Sequence, residues 1–405
     1  MLLAEELPLS EVESRLLEQA RDFSRREVGP NAARWERERA YPRESIRTAA
    51  GLGLTRIQVP AALGGLDLRF RAKVRIVEEI ARDDFAFAFA LVNTHNSAAR
   101  LARDGNDSQR ARYLDGLMRG ELIGAVSLTE PSAGSDFPAI RTRAERVAGG
   151  WLLNGEKAWL TNGAAVDVVV VFAQTDPAAG GKGIAAFVVD AQRKGFERGA
   201  AYGLAGAHAI GAAGFKLENY FAADDDLFYA PGAAFKNALA SITGARIYVA
   251  AMCCGMVEEA LGLALARARA RSTFGRPLIE RQGLRWMLAD VATDFEAARL
   301  LAYRAARLLE AEQDAVLAAA HAKKFATRMA ERRLPQCMQV FGAEGLMEAH
   351  PIGRHLAAAR AAHYADGTTE IQNERIAAYL ERGISGDLSD EQLKAIYGGK
   401  DGLRQ

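Results

Sequence analysis

The chain has 405 residues, of which 49% are hydrophobic and 25% charged, and its formal net charge is +1. This length allows two or three domains with ample hydrophobic cores. Because basic residues are interspersed with nearly as many carboxylates, the composition does not support a nucleic-acid-binding face or a polybasic membrane patch.

Neither the apolar runs nor the cysteines indicate a special environment. The longest apolar runs, such as Val166–Ala173, are too short to span a bilayer, and Met1–Leu9 lacks the basic residues of a signal or transit peptide. Cys253, Cys254 and Cys337 cannot form a disulfide framework and do not have zinc spacing. We therefore expect three core thiols, no metal site, no membrane insertion and a cytoplasmic location.

The first third of the chain is predicted to be helical. Ser10 and Glu13 form a capping box that predicts a helix over residues 11–28, ending at Gly29-Pro30. Residues 85–90 alternate phenylalanine and alanine as a strand would, but their alanine-rich surroundings favour a helix. Further helices are predicted over residues 44–50, 73–82 and 108–118, the last capped by Asn106 or Asp107.

The middle third changes to strand patterns. Asn154-Gly155 is the strongest short hairpin signal in the chain, so a turn is predicted there. Residues 203–220 are glycine-rich, but they follow no clear strand and open no helix, so they do not form a dinucleotide-binding fingerprint. The predicted strands cover residues 123–128, 141–147, 151–154, 157–160, 166–173 and 183–190.

The last third is helical again, with apolar residues at spacings of three and four. Pro335 is expected to kink or break the third long helix, and Ser389 with Gln392 predicts a short terminal helix. The predicted long helices cover residues 239–271, 284–312, 315–333, 336–341, 354–364 and 372–381. Helices of this length in succession predict an antiparallel four-helix bundle.

The expected fold is therefore α+β, with three domains. An N-terminal all-α domain is predicted over residues 1–122, and a middle β-barrel-like or orthogonal sheet domain over residues 123–236. The four-helix bundle would occupy residues 237–405.

A loop of small residues follows the first predicted strand, from Ser127 to Asp136. Pro131 stiffens it, and its glycine and hydroxyl groups would suit either an ordinary polar turn or a ligand-binding loop. The segment Leu-Thr-Glu-Pro-Ser-Ala-Gly-Ser-Asp, ending at Asp136, resembles the signature of the acyl-CoA dehydrogenase family, flavoenzymes that desaturate acyl thioesters. The resemblance implies that Val126, Leu128 and Thr129 face the ring of FAD, and that Ser135 contacts the cofactor and the pantetheine arm of the substrate.

A second segment, Trp159-Leu-Thr161-Asn-Gly, resembles the other flavin-facing strand of the family. There the Trp159 ring would cover one face of the isoalloxazine, and Thr161 would bond its edge. Taken alone, Trp159 has the pattern of a core tryptophan. Its position some thirty residues after the first motif favours the flavin contact.

Two motifs on the predicted bundle resemble the family's contacts with the diphosphate and adenine of FAD. The first is Arg-Ser-Thr-Phe-Gly-Arg-Pro-Leu from Arg271, which in the family reaches the flavin of a neighbouring subunit; a guanidinium suits a diphosphate because it is a permanent charge with a donor fork. The second is Gln-Val-Phe-Gly-Ala, in which Ala343 replaces a usual glycine. The implied cofactor contacts are Arg271, Thr273, Phe274, Gln282, Gln339 and Gly342.

The segment Tyr-Ala-Asp-Gly-Thr-Thr-Glu-Ile-Gln, ending at Gln372, resembles the loop that carries the catalytic base in this family. The usual base is glutamate, whereas this chain has Asp366, and the family's other base position, before Arg246, holds Ala245. The resemblance implies that Asp366 is the base, that Arg246 tunes its carboxylate, and that the Asp366 backbone N–H helps to hold the thioester oxygen. The further contacts implied are Gly367 and Arg246 for the substrate, and Thr368 and Glu370 for the cofactor.

By our reading the resemblance covers residues 9–387. It implies FAD-dependent α,β-dehydrogenation of an acyl-CoA to a 2-enoyl-CoA by a homotetramer, a pair of dimers, that passes electrons to an electron-transferring flavoprotein. An acyl-carrier-protein thioester is an alternative substrate. A flavin oxidase or monooxygenase of the nitroalkane-oxidase branch is an alternative activity, since aspartate bases occur there, but that branch is expected to place an arginine where Asn373 stands. His95 could line the acyl pocket, although a structural histidine is the commoner role.

Overall fold

The computed structural model describes residues 7–381, so the helix predicted at Ser389 lies outside the described residues. The N-terminal part is helical, as predicted. Its helices are α1 (Glu11–Phe23), α2 (Gly29–Glu38), α3 (Arg43–Gly51), α4 (Phe70–Asp83), α5 (Phe85–Asp104) and α6 (Asp107–Met118). The capping boxes of Ser10 with Glu13 and of Asn106 with Gln109 are both formed.

The prediction that the first helix ends at Gly29-Pro30 is wrong. A single wide π turn, Ser24–Val28, joins α1 to α2, and the chain remains helical to Glu38. Pro30 lies in the first turn of α2, where its missing N–H costs little and its fixed backbone angle suits a helix. Gly29 packs closely on α4, since a Cβ there would lie 3.1 Å from Asp83 Oδ1.

The alternating segment after Asp84 is helical, as predicted, and begins α5. The Asp84 side chain caps this helix by accepting from Phe87 N–H at 2.7 Å. Phe85, Phe87 and Phe89 are all buried because neighbouring elements cover α5 on every side. The period of two therefore reflects a helix buried all round rather than a strand.

The middle part is a mixed sheet of eight strands. They are β1 (Gly124–Ser127), β2 (Arg143–Val147), β3 (Gly150–Leu160), β4 (Val168–Gln174), β5 (Ile184–Asp190), β6 (Phe196–Ala201), β7 (Ala213–Ala223) and β8 (Leu227–Tyr229). Their order is β6-β7-β3-β2-β4-β5-β8, with β1 parallel to β4. The two halves of the sheet join at one pair, Arg143 with Gln174, and bury a shared apolar core between their faces.

The hairpin predicted at Asn154-Gly155 is wrong. β3 runs unbroken through both residues, and the turn lies earlier, between Val147 and Gly150. Gly155 is required for a close approach, because a Cβ there would lie 2.6 Å from the Thr142 backbone. A register shift beside it marks a β-bulge, which uses the same residue types as a tight turn.

The C-terminal part is the predicted helical bundle. Its helices are α7 (Ala234–Ala270), α8 (Gln282–Glu310), α9 (Val316–Gln339), α10 (Pro351–Tyr364) and α11 (Thr369–Glu381), and a small hairpin, β9 (Ser272–Thr273) with β10 (Arg276–Pro277), joins α7 to α8. The break expected at Pro335 does not occur, since α9 continues to Gln339. Sequence inspection also missed β6 and β7, whose glycines and alanines weaken the strand pattern.

Helix α7 lies at the centre, packed against α4, α8, α9 and α10. Among the described helices, α7 alone is long and apolar enough to cross a membrane. This was not identified from the sequence, because polar residues interrupt the apolar runs of α7. Of its most apolar window, 61% is buried inside the protein. Its apolar surface therefore forms the core of the bundle.

Candidate active site

The predicted base lies on a strained turn between α10 and α11. Asp366 has a φ of 54°, and Gly367 follows with a φ of 94°, so two successive left-handed residues reverse the chain. A Cβ at Gly367 would lie 3.1 Å from Gln372 Nε2 and 3.3 Å from Arg246 Nη2. Glycine is thus required both for the conformation and for the close packing of the loop.

Three buried side chains hold the carbonyl groups of this loop. Lys323 Nζ donates to the Gly367 oxygen at 2.5 Å, and Gln372 Nε2 donates to the same oxygen at 3.0 Å. Arg246 Nε donates to the Asp366 oxygen at 3.2 Å. The predicted pair Asp366 and Arg246 is therefore brought together, and the backbone beside the carboxylate is fixed from three directions.

Lys323 was not identified from the sequence. It is 1% exposed on a buried face of α9 that is rich in alanines. Burial lowers its pKa to about 8, against the opposing effect of the Asp366 charge. A single lysine within an alanine-rich buried face was the signal that could have drawn attention to it, because a buried ammonium requires partners.

The Asp366 carboxylate itself has an unusual environment. Its Oδ2 atom is buried and has no hydrogen-bond partner, although the residue as a whole keeps some exposed surface. Burial raises the pKa of Asp366, while the Lys323 and Arg246 cations partly lower it. Such a carboxylate is more basic than an exposed aspartate and has a free oxygen to accept a proton.

The second part of the site is the edge of the sheet where the β1 loop meets β3. The Thr129 carbonyl accepts from Ala158 N–H at 3.0 Å, which places Val126, Leu128 and Thr129 beside the end of β3. The Ser127 hydroxyl there is buried without a partner. This edge therefore has a hydrogen-bonding group that the described residues do not satisfy.

Trp159 lies on the same edge and is not a core residue. It is 61% exposed, has a φ of 58°, and packs against Tyr202 with ring centroids 4.5 Å apart. A register shift in β3 accompanies this conformation. A left-handed tryptophan held open to solvent is costly, which supports a ligand-binding role for its ring.

A buried ion pair fixes the loop that follows β1. Glu130 accepts from Lys157 Nζ at 2.9 Å and from the backbone N–H groups of Arg141 and Thr142 at 2.6 and 2.9 Å. Lys157 also donates to the Leu128 carbonyl at 3.2 Å, and burial lowers its pKa to about 8. Beyond this anchor the loop is open, and Ser135 is exposed.

Asn162 connects this sheet edge to α5. Its Nδ2 group donates to the carbonyls of Ala90 and Gly124 and to Thr94 Oγ1, at 3.1, 3.0 and 3.2 Å. The same helix reaches α7, because Asn96 Nδ2 donates to the Tyr248 hydroxyl at 3.2 Å. Helix α5 therefore supports both parts of the site, with Thr161 half-buried next to Asn162.

The remaining predicted contacts lie far from Asp366. An ion pair between Arg267 and Glu344, 2.5 Å long, joins the end of α7 to the segment after α9. Along the continuous α7 helix, Arg246 and Arg271 are separated by 25 residues, or about 37 Å. These contacts form a second group at the end of α7, in the hairpin that leads to α8, at the start of α8 and at the end of α9. The group consists of Arg271, Thr273, Phe274, Gln282, Gln339 and Gly342. Thr368 and Glu370 lie instead beside the base, at the start of α11.

The first group fits a flavin ring, and the second fits its diphosphate end. An exposed tryptophan face and the backbone groups of the strand edge offer stacking and hydrogen bonds, while Arg271 is exposed with no carboxylate paired to it among the described residues. Within residues 7–381 no group of three His, Cys, Asp or Glu side chains could hold a metal. All three cysteines are buried, and burial raises the pKa of Cys253 and Cys337 to about 12, so they are core thiols as predicted.

The size of a cavity does not identify the predicted active site. A groove of about 680 Å³ lies between α8 and α9, and its lining residues, which include Phe325 and Arg328, contain none of the predicted site residues. The unpartnered Asp366 Oδ2 atom is the better indicator, because a buried polar atom without a protein partner requires a ligand or water.

Comparisons with known proteins identify the family of the chain. Residues 10–121, 125–220 and 233–381 match the family models "Acyl-CoA dehydrogenase, N-terminal domain", "middle domain" and "C-terminal domain". An acyl-CoA dehydrogenase of Bacillus subtilis (strain 168) is 35% identical over 89% of this chain and 95% of its own. The human mitochondrial short-chain specific acyl-CoA dehydrogenase is 34% identical over 92% and 91%.

A solved structure shows the same architecture. Butyryl-CoA dehydrogenase from Megasphaera elsdenii superposes with a TM-score of 0.89 at 31% identity, covering 92% of this chain and 99% of that one. The sequence motifs, the fold and the three family models thus agree over nearly all of the described residues. The chain belongs to the acyl-CoA dehydrogenase family.

Proposed function

We propose that Asp366 is the catalytic base of this protein. The reaction is the FAD-dependent α,β-dehydrogenation of an acyl-CoA, and the chain is an oxidoreductase of that class. The observation that carries the assignment is the buried, unpartnered Oδ2 atom of Asp366 beside Arg246 and Lys323. The short-chain names of the relatives support a short acyl group.

The residues around the base provide what proton removal from Cα requires. Burial makes the carboxylate more basic, and the left-handed turn at Asp366 and Gly367 directs it, while Lys323 and Gln372 prevent the loop from moving. The chemistry that bound FAD would supply is acceptance of the hydride from Cβ. Val126, Leu128, Thr129, Trp159 and Thr161 would hold its ring, and Ser135 would contact the pantetheine arm.

Aspartate in place of glutamate has a consequence for positioning. Its carboxylate is withdrawn by about 1.3 Å, and a misplacement near 1 Å can cost ~100-fold in rate. Because hydrogen bonds fix the carbonyl groups of the loop, we expect either the loop or the bound substrate to be positioned so that the shorter aspartate side chain still reaches Cα. Gly367, which packs against Arg246, would line the substrate-binding space beside Asp366.

The diphosphate contacts imply an oligomer. Because Arg271 lies about 37 Å along α7 from Arg246, it would serve the flavin of a neighbouring subunit. We include a homotetramer, an electron-transferring flavoprotein as acceptor and a cytoplasmic location in this proposal. Arg271, Thr273, Phe274, Gln282, Gln339 and Gly342 would complete the neighbour's site.

Anaerobic mixing with acyl-CoA substrates tests the proposal. The purified protein should be yellow, and a short acyl-CoA should bleach the flavin, with the absorbance recovering when an electron-transferring flavoprotein is added. Hydrogen peroxide formation with nitroethane, without bleaching by any acyl-CoA, would contradict the proposal and indicate an oxidase instead. Octanoyl-CoA serves as the chain-length control.

A further inference from the structure

A cluster of polar side chains lies where α4, α5 and α7 meet, in a core that is otherwise apolar. It consists of Lys73 on α4, His95 and Asn96 on α5, and Tyr248 on α7; we call it the Lys73 cluster. Lys73, His95 and Tyr248 are each less than a tenth exposed. Tyr248 follows Arg246 by two residues, and burial, together with the Asp366 charge, raises the Tyr248 pKa.

The hydrogen bonds within the cluster fix the direction of each group. Gln58 N–H donates to His95 Nε2 at 3.2 Å, so the proton of the neutral ring lies on Nδ1 and points at Asn96 Oδ1, 3.2 Å away. Lys73 Nζ donates to the same oxygen at 3.2 Å. The Asn96 amide nitrogen is therefore turned to Tyr248, whose hydroxyl oxygen accepts from it at 3.2 Å.

This arrangement leaves donors without acceptors. The Tyr248 hydroxyl keeps its own hydrogen, and the Lys73 ammonium keeps two of its three. The hydrogen bonds of the described residues provide no acceptor for either group, and Lys73 Nζ lies over the rings of Phe70 and Tyr248, 4.8 and 5.7 Å from their centroids. Nearby, Nε and Nη1 of Arg100 are also buried and unpartnered.

The cluster also has an excess of positive charge. Burial and the charges of Arg103 and Arg100 lower the pKa of Lys73 to about 7. The carboxylate of Asp104 is already engaged by Arg103 and by the Tyr229 hydroxyl. No described carboxylate is paired with Lys73, so an anionic ligand that accepts its free hydrogens would stabilise its charged form.

We propose that the acyl group of the substrate ends in a carboxylate, which Lys73 and the Tyr248 hydroxyl bind, so that the substrate is the mono-thioester of a short dicarboxylic acid. The inference rests on the proposed function, because it identifies the cluster with the far end of the acyl site. The carboxylate supplies acceptors to both free donors and balances the buried ammonium. It takes no part in the oxidation, which still involves only Cα and Cβ.

Binding to the Asp366→Asn holoenzyme tests the proposal without turnover. Calorimetric titrations would compare glutaryl-CoA with valeryl-CoA, and adipyl-CoA with hexanoyl-CoA, since each pair has equal chain length. At least one dicarboxylic member should bind about tenfold or more tightly than its partner, as expected for hydrogen bonds to a charged group. Equal or weaker binding of both dicarboxylic members would overturn the inference.

Variants of Tyr248 and Lys73 test whether these residues cause the preference for the dicarboxylic acyl-CoA. Tyr248→Phe removes one hydroxyl, and Lys73→Met removes the charge at similar length; each should lose most of the preference while still binding the neutral acyl-CoA. Lys194→Met, at an exposed turn, should keep the full preference. Retention of the preference in both cluster variants would also overturn the inference. Failure of every acyl-CoA to bind, or to bleach the wild-type flavin, would instead reject the proposed function.

Discussion

The buried carboxylate of Asp366 costs the folded protein energy that a surface aspartate would not. Its left-handed backbone is disfavoured for a residue with a side chain, and its unpartnered oxygen loses its water. Lys323, Gln372 and Arg246 over-determine the loop through its carbonyls, which keeps this conformation in place. The same contacts set the position and the basicity of the base.

Flavin reduction should become slower as the pH falls through the raised pKa of Asp366, because only the ionised carboxylate removes a proton. Since Lys323 lowers that pKa, Lys323→Met should move the acid limb to higher pH. Displacement of the loop by about 1 Å should also slow reduction by ~100-fold. Stopped-flow bleaching across the pH range measures both effects.

Lys324→Met is the matched control, since this neighbouring lysine lines the groove between α8 and α9. It should leave the rate and the acid limb unchanged. An acid limb that stays in place in Lys323→Met would show that Lys323 does not act on the base.

Contiguous motifs explain why some residues of the site could be predicted and others could not. Asp366, Trp159 and Arg271 lie within strings whose residue types carry the resemblance. Lys323 meets the Gly367 carbonyl from 44 positions away, and Asn162 meets Ala90 from 72 positions away, so no local pattern reveals either contact. Such residues become visible only when the fold brings their partners together.

At the scale of elements, β3 and α5 fix the position of the predicted flavin-facing sheet edge relative to the base. β3 carries Lys157 at the start of a register shift and Trp159 within it, while α5 bonds Asn162 through Ala90 and Tyr248 through Asn96. The alanine-rich surroundings of residues 85–90, rather than their period, predicted the helix that begins α5, and the strand pattern divided β3 at Asn154-Gly155. A bulge and a hairpin use the same residue types, and only the neighbouring strand decides between them.

Breaking the Glu130–Lys157 pair should destabilise the middle sheet. Glu130→Gln or Lys157→Met leaves the other charge buried without its partner, which costs about 3–5 kcal/mol in the free energy of unfolding. The variants should also purify with less FAD, because Lys157 supports the Leu128 carbonyl. Urea denaturation and the flavin-to-protein absorbance ratio measure these effects.

The double variant Glu130→Gln with Lys157→Met provides the comparison. It should be less destabilised than the sum of the single variants, because no unpaired charge remains. Strict additivity would mean that the two groups do not stabilise each other.

At the scale of the whole molecule, the predicted site residues form two groups that lie far apart in one chain. The base and the flavin edge lie at one region of α5 and α7, whereas Arg271 and Gln339 lie at the far ends of α7 and α9. Exposed apolar side chains surround the second region, where Phe274 is 96% and Leu346 76% exposed. Such surface is typical of a protein–protein interface. Sequence motifs supplied both groups but not their separation, which follows from the unbroken length of α7.

Co-expression of two defective variants tests whether subunits share sites. Arg271→Ala alone should bind FAD poorly, and Asp366→Asn alone should bind FAD but not reduce it. If Arg271 serves the neighbour, each mixed dimer contains one intact site, so acyl-CoA activity should reappear. Activity that stays absent from verified mixed oligomers would mean that Arg271 acts within its own chain.

The most direct test of the central claim is flavin reduction by Asp366→Asn. The amide has nearly the same shape as the carboxylate, so the variant should retain bound FAD and still bind acyl-CoA. Bleaching of the flavin under anaerobic conditions should slow by about 100-fold to 10,000-fold, the usual contribution of a general base. Bleaching at the wild-type rate would show that another group removes the Cα proton.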